Sequence, residues 1–284
     1  MKLTQTVLQR RTNSLYYSKV ELFYNIMFLK KGRQKIIDFI NSHELSEGGY
    51  SLGPYVPPSL EDTYYALQSL LNLGIHRISP ATVAYIKEIA EEGSLSYFKL
   101  AYHLAILIKK YNIKAKPVML KSILEKFHPK SASDWYYLIM FKIICGKKID
   151  LNEDLISWIK DQTPEKLRYV TEVGRYVLLM EKLKLDYDRK RYINWLRLLQ
   201  NPDGGFGPLF KTTSFLEHAY IALKALNSLG SKPIYIRKLR EFITTSQAKK
   251  GGFGRQSITV PTLEYTYYAL ISLLILSDSY CKSI

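Results

Sequence analysis

Cysteine is scarce in this chain: two residues in 284, Cys145 and Cys281. Their separation matches no metal-ligand spacing, and a single pair of thiols makes no disulfide framework. Long apolar runs are also missing. The longest, "WYYLIMF" (135–141) and "YYALISLLIL" (267–276), fall short of the roughly 18–20 residues that span a bilayer and read as buried helices. The first residues, "MKLTQTVLQRRTNSLYY", contain no apolar leader segment. These absences lead us to expect a soluble, cytoplasmic protein without a transmembrane segment. Acid is in short supply as well, with 25 Asp and Glu against 41 Lys and Arg, a net charge of +16.

What the chain does have excludes other classes. A hydrophobic content of 47% is incompatible with disorder, and 15 glycines with 11 prolines are too few for a low-complexity polymer. The basic surplus is concentrated in "QRRTNSLYYSK", "KKGRQK", "DYDRKRYINWLR" and "YIRKLR". Such stretches are either the solvated outer faces of helices or a surface for an anionic partner: a diphosphate, a nucleic acid, an acidic protein or a membrane. No stretch carries a nucleic-acid-binding motif.

One phrase recurs. "LLQNPDGGFG" (198–207) and "SQAKKGGFG" (246–254) share Gln-x-x-x-Gly-Gly-Phe-Gly, and "NSHELSEGGYSLG" (41–53) is a weaker copy. Each is followed by a segment opening on Leu-Glu: "SLEDTYYALQSLLNLG" (59–74), "FLEHAYIALKALNSLG" (215–230) and "TLEYTYYALISLLIL" (262–276). These helices are apolar on more than one face and belong inside the protein. The helices that precede them, "QKIIDFINSH", "KRYINWLRLLQ" and "YIRKLREFITTS", are amphipathic and belong outside. Degenerate pairs around Gly93, Pro129 and Pro164 fill the middle. The unit is outer helix, glycine turn, inner helix, repeated about six times at a period near 40 residues. Approximate repeats at 36–75, 79–113, 116–149, 152–188, 189–233 and 234–276 follow a helical region at 1–35, all in one domain over 1–284.

The turn has a physical reading. Gly204 and Gly205 are expected at positive φ, and Phe206, Phe253 and Tyr50 are expected to pin neighbouring hairpins together. Ser214 with Glu217, and Ser59 with Asp62, have the spacing of a capping box. Inner helices this apolar and tyrosine-rich favour closure into a ring, with their N-termini at one rim.

On these residues, "LLQNPDGGFG", "SQAKKGGFG" and the "LExTYYAL" helix starts, the chain resembles the α/α-toroid superfamily of protein prenyltransferase β subunits and squalene–hopene-type terpenoid cyclases. The resemblance implies an all-α toroid and a central aromatic cavity holding an isoprenoid. It makes Tyr64, Tyr65, Tyr220, Tyr267 and Tyr268 candidate lining residues, together with Tyr97, Tyr102, Tyr136 and Tyr176. Lys211, Arg168 and Arg255, just ahead of inner helices, would bind a diphosphate.

The departures from the family matter equally. The Asp-x-Cys of the prenyltransferase zinc site reads Glu217-His218-Ala219 here, and the later His position reads Tyr265, so no zinc cofactor is expected. The cyclase Asp-x-Asp-Asp is replaced by "LDYDRK" (185–190), in which Asp186 and Asp188 read as loop residues. At the same rim, Glu217 and His218 are candidates for acid/base work, and with Glu264 for a metal, while Glu61 and Asp62 come round if the ring closes. Carboxylates at helix N-termini are equally explained by the helix dipole.

Four functions stay open. One is a prenyltransferase-like protein that binds an isoprenoid or another apolar ligand and transfers or cyclises a prenyl group. Another is a non-catalytic scaffold that binds a helical partner protein through its basic outer surface. The others are a basic repeat protein on nucleic acid, and a carbohydrate-active α/α barrel, which needs paired acids that the sequence does not supply.

Overall fold

The computed structural model describes residues 30–53, 55–93, 95–115 and 128–281, and these form twelve helices and no strand. In chain order they are α1 Lys30–Asn41, α2 Leu60–Asn72, α3 Pro80–Glu92, α4 Phe98–Tyr111, α5 Ala132–Ile144, α6 Glu153–Asp161, α7 Pro164–Leu167, α8 Val170–Leu183, α9 Arg189–Leu198, α10 Leu216–Ser228, α11 Ile236–Thr245 and α12 Leu263–Cys281. The outer helix expected around 117–127, and most of the helical region expected at 1–35, lie outside the described residues.

Six helices pack side by side in a closed ring: α2 on α4, α4 on α5, α5 on α8, α8 on α10, α10 on α12, and α12 back on α2. This is the α/α toroid that the repeat predicted. Burial sorts the two layers. In α10, nine of thirteen residues are buried, so the helix needs protein on several sides. In α11 and α9 only Leu239 with Ile243, and Tyr192 with Leu196, are buried. Each is an i, i+4 pair that makes a single inward stripe.

The glycine turns set how closely the hairpins stack. Gly204 has φ +91°, and a Cβ there would collide with the backbone of Lys238 and Leu239 on α11. Gly205 is not in the left-handed region. Glycine is required there because a Cβ would stand 2.5 Å from Cβ of Ser214. Gly251, at φ +124°, meets the backbone of Lys35 on α1 in the same way, which brings the last glycine turn against the first described outer helix.

The motif glutamine is explained too. Gln200 donates Nε2 to the carbonyl of Gly204 (2.8 Å) and accepts from the Tyr235 amide (3.0 Å), so it ties the turn to the start of α11. Gln247 repeats the first of these bonds on Gly251 at 3.0 Å. Phe206, Phe253 and Tyr50 are buried as expected. Thr63 and Thr266 account for the threonine of the helix start, since their hydroxyls accept from the amides of Tyr50 and Phe253, both at 3.0 Å.

One cap differs from expectation. Phe215, not Ser214, is the N-cap of α10 and has no side-chain cap bond. The Ser214 hydroxyl instead donates to Asp203 (2.9 Å) and accepts from Asn201 Nδ2 (2.9 Å), fastening the turn. The full capping box occurs at Ser131 and Asp134 on α5.

All inner helices point the same way. Their first turns touch: Lys99 of α4 reaches Glu61 of α2 and Glu264 of α12, and Arg255, ahead of α12, reaches Glu217 of α10. Glu172 of α8 accepts from the Ala132 and Ser133 amides at the start of α5. A carboxylate at a neighbour's N-terminus satisfies orphan donors and complements the dipole. Among the described residues, no helix is long and apolar enough to cross a membrane.

Candidate functional site

At the centre of the ring the tyrosines converge. Tyr64, Tyr65, Tyr220, Tyr267 and Tyr268, all singled out in the sequence, line one cavity, joined by Tyr102, Tyr136 and Tyr137. The rings are in mutual contact. Tyr220 stacks on Tyr268 with centroids 4.5 Å apart, and Tyr64 stacks on His103 at 3.7 Å. The space left is about 30 Å³, room for about two waters. The aromatic centre is therefore packed, with no open channel for an isoprenoid tail.

Tyr97 and Tyr176 do not belong to this wall. Tyr97 sits at the rim and donates to Glu61 at 3.1 Å. Tyr176 faces the outer layer, stacked on Tyr192 at 5.1 Å. Tyr97 precedes α4 as its extended N-cap, and Tyr176 lies on the face of α8 turned toward the outer layer.

Two cations also line the cavity, Arg175 from α8 and Lys224 from α10. Gly174 lets these helices approach, since its missing side chain makes room for Ile221, whose Cγ1 would lie 2.7 Å from a Cβ. The Arg175 guanidinium lies 4.4 Å from the Tyr137 ring centroid and 5.4 Å from that of Tyr136. Lys224 Nζ donates to Tyr220 Oη at 3.1 Å. Burial opposes the charge on Lys224, yet the phenols of Tyr136, Tyr220 and Tyr102 hold its ammonium above the ordinary lysine range. Burial likewise raises the Tyr220 phenol, but Lys224 and Arg175 outweigh it and bring Tyr220 below its usual value. His103 is held well below the ordinary histidine range by burial and by the charges of Lys99 and Arg175, so it is neutral.

Above the cavity lies the rim network. Glu264 accepts from Tyr65 Oη (2.8 Å) and Tyr268 Oη (2.7 Å) and faces Lys99 at 3.7 Å, while Lys99 contacts Glu61 at 2.6 Å. Asp62 is occupied at the N-terminus of α2, accepting from the Ser59 hydroxyl at 2.7 Å.

The acid/base and metal candidates are differently arranged from the expectation. Glu217 is held by Arg255, Nε at 2.7 Å and Nη2 at 2.5 Å, and the guanidinium stacks 3.7 Å over Phe215. Arg255 is thus committed to a carboxylate, which removes it from the expected diphosphate set. His218 is buried, its pKa pushed down to about 4 by burial and by Arg255, and its Nδ1 has no partner. Glu264 belongs to the tyrosine and lysine network instead. Among the described residues, no three His, Cys, Asp or Glu side chains gather as a metal ion would require.

Arg168 and Lys211 lie elsewhere again. An apolar cleft of about 390 Å³ opens on the outer side, floored by Trp195, Leu198 and Leu199 of the α9 region and walled by Leu209 and Phe210. Arg168 lines it, and Lys211 Nζ sits 5.2 Å from the Phe210 ring. Both cations are exposed and both have positive φ, 56° and 57°. Arg168 is the centre of a γ-turn, with ψ −56° and the Tyr169 amide bonded to the Leu167 carbonyl at 2.7 Å. That backbone state is rare and strained, and such strain concentrates at working sites. Glu165, also at the cleft, is paired with Arg191 at 2.7 Å.

Arg175, Lys224 and Lys99 escaped the sequence reading. A signal for them exists: each is a cation inside an inner helix otherwise dominated by apolar side chains, "FKLAYHLAILI", "VTEVGRYVLLM" and "LEHAYIALKAL".

The family model described as the prenyltransferase alpha-alpha toroid domain matches residues 5–101, 167–238 and 214–284. None of the curated proteins matches the chain. Among solved structures, the protein geranylgeranyltransferase-I of Candida albicans, complexed with GGPP, is similar at 13% identity and a TM-score of 0.41, over 88% of this chain and 98% of that one.

Proposed function

The chain belongs to the prenyltransferase alpha-alpha toroid family, and from that premise we propose that it binds an isoprenoid diphosphate in the outer cleft. The hydrocarbon chain lies on Trp195, Leu198, Leu199, Leu209 and Phe210, and the diphosphate is held by Arg168 and Lys211. The observation that carries this reading is a contrast of volumes. The cleft, at about 390 Å³, falls within the roughly 300–1,000 Å³ of small-molecule sites, whereas the tyrosine cavity holds about 30 Å³. Exposed Leu198 and Phe210 supply apolar surface that a ligand would remove from water. The two cations have no carboxylate partner among the described residues, so their donors are free for phosphate oxygens. The proposal is for binding. The one acid at the cleft, Glu165, is neutralised by Arg191.

Calorimetry with farnesyl diphosphate and farnesol tests it. Leu198→Asp should weaken both ligands. Arg168→Gln and Lys211→Gln should each weaken the diphosphate roughly tenfold and leave the alcohol unchanged. Equal binding of farnesyl diphosphate to wild type and Leu198→Asp would sink the cleft assignment. No binding to wild type at micromolar ligand would favour the partner-protein scaffold.

A further inference from the structure

The chain carries a net charge of +16, and the fold decides which of its cations are left unpaired. On the outer helices many are engaged. Arg189 pairs with Glu181, Arg191 with Glu165 and Arg237 with Glu241. Arg197 and Lys238 donate to the carbonyls of Lys232 and Pro202. One rim of the ring is different. The inner helices are parallel, so the C-terminal ends of α4, α5 and α8, consecutive in the ring, lie together. Lys109 and Lys110 close α4 and Lys114 follows it, Lys147 and Lys148 follow α5, and Lys184 caps α8. All six are exposed, and none has a carboxylate partner among the described residues. Lys109 Nζ donates to the Ile144 carbonyl at 3.4 Å, which sets the α4 lysines against the end of α5. Acids are few here. Asp150 lies in the α5–α6 connection, and Asp186 and Asp188 in the next, where Asp188 accepts from the Arg191 amide at 3.0 Å as the N-cap of α9. The helix dipole accounts for Lys109 and Lys110 in a last turn. It does not account for Lys114, Lys147 and Lys148, which lie beyond the helix ends, because the effect fades within that turn.

We propose that this lysine rim is a docking face for an anionic lipid surface. A cluster of this size draws a protein to acidic headgroups, each lysine adding roughly fivefold in affinity. The residue type fits. Lysine is a mobile point charge that suits headgroups of varied position, whereas a fixed phosphate geometry calls for the arginine fork. The shape fits as well. Three neighbouring helices at about 8–10 Å spacing spread the charges over a patch roughly 20 Å across, which a planar bilayer meets all at once. Nucleic acid is the poorer match, because the connections after α4 and α5 contain no aromatic side chain on which a base could stack. Leu151, exposed beside Lys147 and Lys148, adds an apolar tip that enters the boundary between headgroups and acyl chains. The contact is peripheral, since no described helix can cross the bilayer. Nothing here depends on the outer cleft, which shares no residue with the rim.

The test is co-sedimentation of the full chain with vesicles of about three parts phosphatidylcholine to one of phosphatidylserine, against vesicles of phosphatidylcholine alone. Wild type should bind the first and not the second, and added salt should release it. Changing Lys114, Lys147 and Lys148 together to Gln should weaken binding about a hundredfold. The control removes the same charge from the opposite rim, with Lys130, Lys249 and Lys250 changed to Gln, all three exposed and without an ion pair among the described residues. It should bind nearly as wild type does. Leu151→Ser should weaken binding a few-fold with no change in charge. Equal losses in the two triple variants would show that net charge alone is at work and overturn the docking face. So would failure of wild type to bind the phosphatidylserine vesicles, a result that needs no variant to fold. Binding of a DNA duplex without binding of those vesicles assigns the lysines to nucleic acid and likewise defeats the proposal. Failure of farnesyl diphosphate at the cleft leaves this result unaffected.

Discussion

Gly251 lies against the backbone of Lys35: the glycine turn before the last inner helix touches the first described outer helix. The same contact, Gly204 against Lys238, occurs between consecutive repeats. A single packing device therefore serves both to stack the hairpins and to shut the ring.

Gly251→Ala should cost about 2–4 kcal/mol, from positive φ and a collision with backbone that cannot swing aside. Gly93→Ala, with φ +67° and no heavy atom near its Cβ, should cost only about 1 kcal/mol. Equilibrium denaturation of both variants measures the difference. Equal losses would show that the close approach at Gly251 does not hold the ring.

Arg255 and Glu217 should be energetically coupled. Arg255→Met leaves a partly buried carboxylate unpaired, and Glu217→Gln relieves it. A double-mutant cycle should give about 1 kcal/mol, a modest value because the guanidinium remains part-exposed. Additive single changes would mean the pair contributes nothing.

His218 makes stability depend on pH. Its folded pKa, about 4, lies below the unfolded value near 6.5, so the unfolded chain binds more protons between them. Stability from this residue is present above pH ~6.5 and is lost as pH falls toward 4. His218→Gln should flatten that slope in thermal melts, and an unchanged slope would place the titration elsewhere.

Tyr220 should be the first cavity phenol to ionise as pH rises, because Lys224 and Arg175 favour its anion while burial pushes up Tyr64 and Tyr65. An ultraviolet difference titration should lose its earliest step in Tyr220→Phe and keep it in Tyr64→Phe. Lys224→Met should move that step to higher pH.

Elemental analysis of the purified protein should find no stoichiometric zinc. The family's thiolate position is Ala219, and the neighbouring carboxylate, Glu217, is already bound to Arg255. One tightly held zinc per chain would overturn this.

Local chemistry made much of the architecture legible in the sequence. The spacing of Gln200, Gly204 and Phe206, and its echo at Gln247, Gly251 and Phe253, announced the hairpin because a turn's hydrogen bonds and torsions are settled within a few residues. The largely apolar character of 216–228 and 263–276 on several faces announced the inner layer, since a helix surrounded by protein on several sides is mostly apolar. The five tyrosines picked out from the helix starts do meet at the centre, because identical positions on ring-related helices face the same axis.

Partnerships across the ring were decided only by the tertiary structure. Arg255 looks like a free cation in sequence and is bound to Glu217, 38 residues away. Glu264 opens the inner helix that follows the one carrying His218 and is tied to Tyr65, 199 residues distant. Arg168 lines, and Lys211 reaches through its contact with Phe210, an apolar cleft built by α9 and the turn that carries Leu209 and Phe210. Arg175 and Lys224 come to line one cavity where Gly174 lets α8 press against Ile221 of α10. Propensity and periodicity say which face of a helix is buried. Which charges end up sharing that buried space depends on the register and spacing of neighbouring helices, and those are set by packing summed over the whole ring.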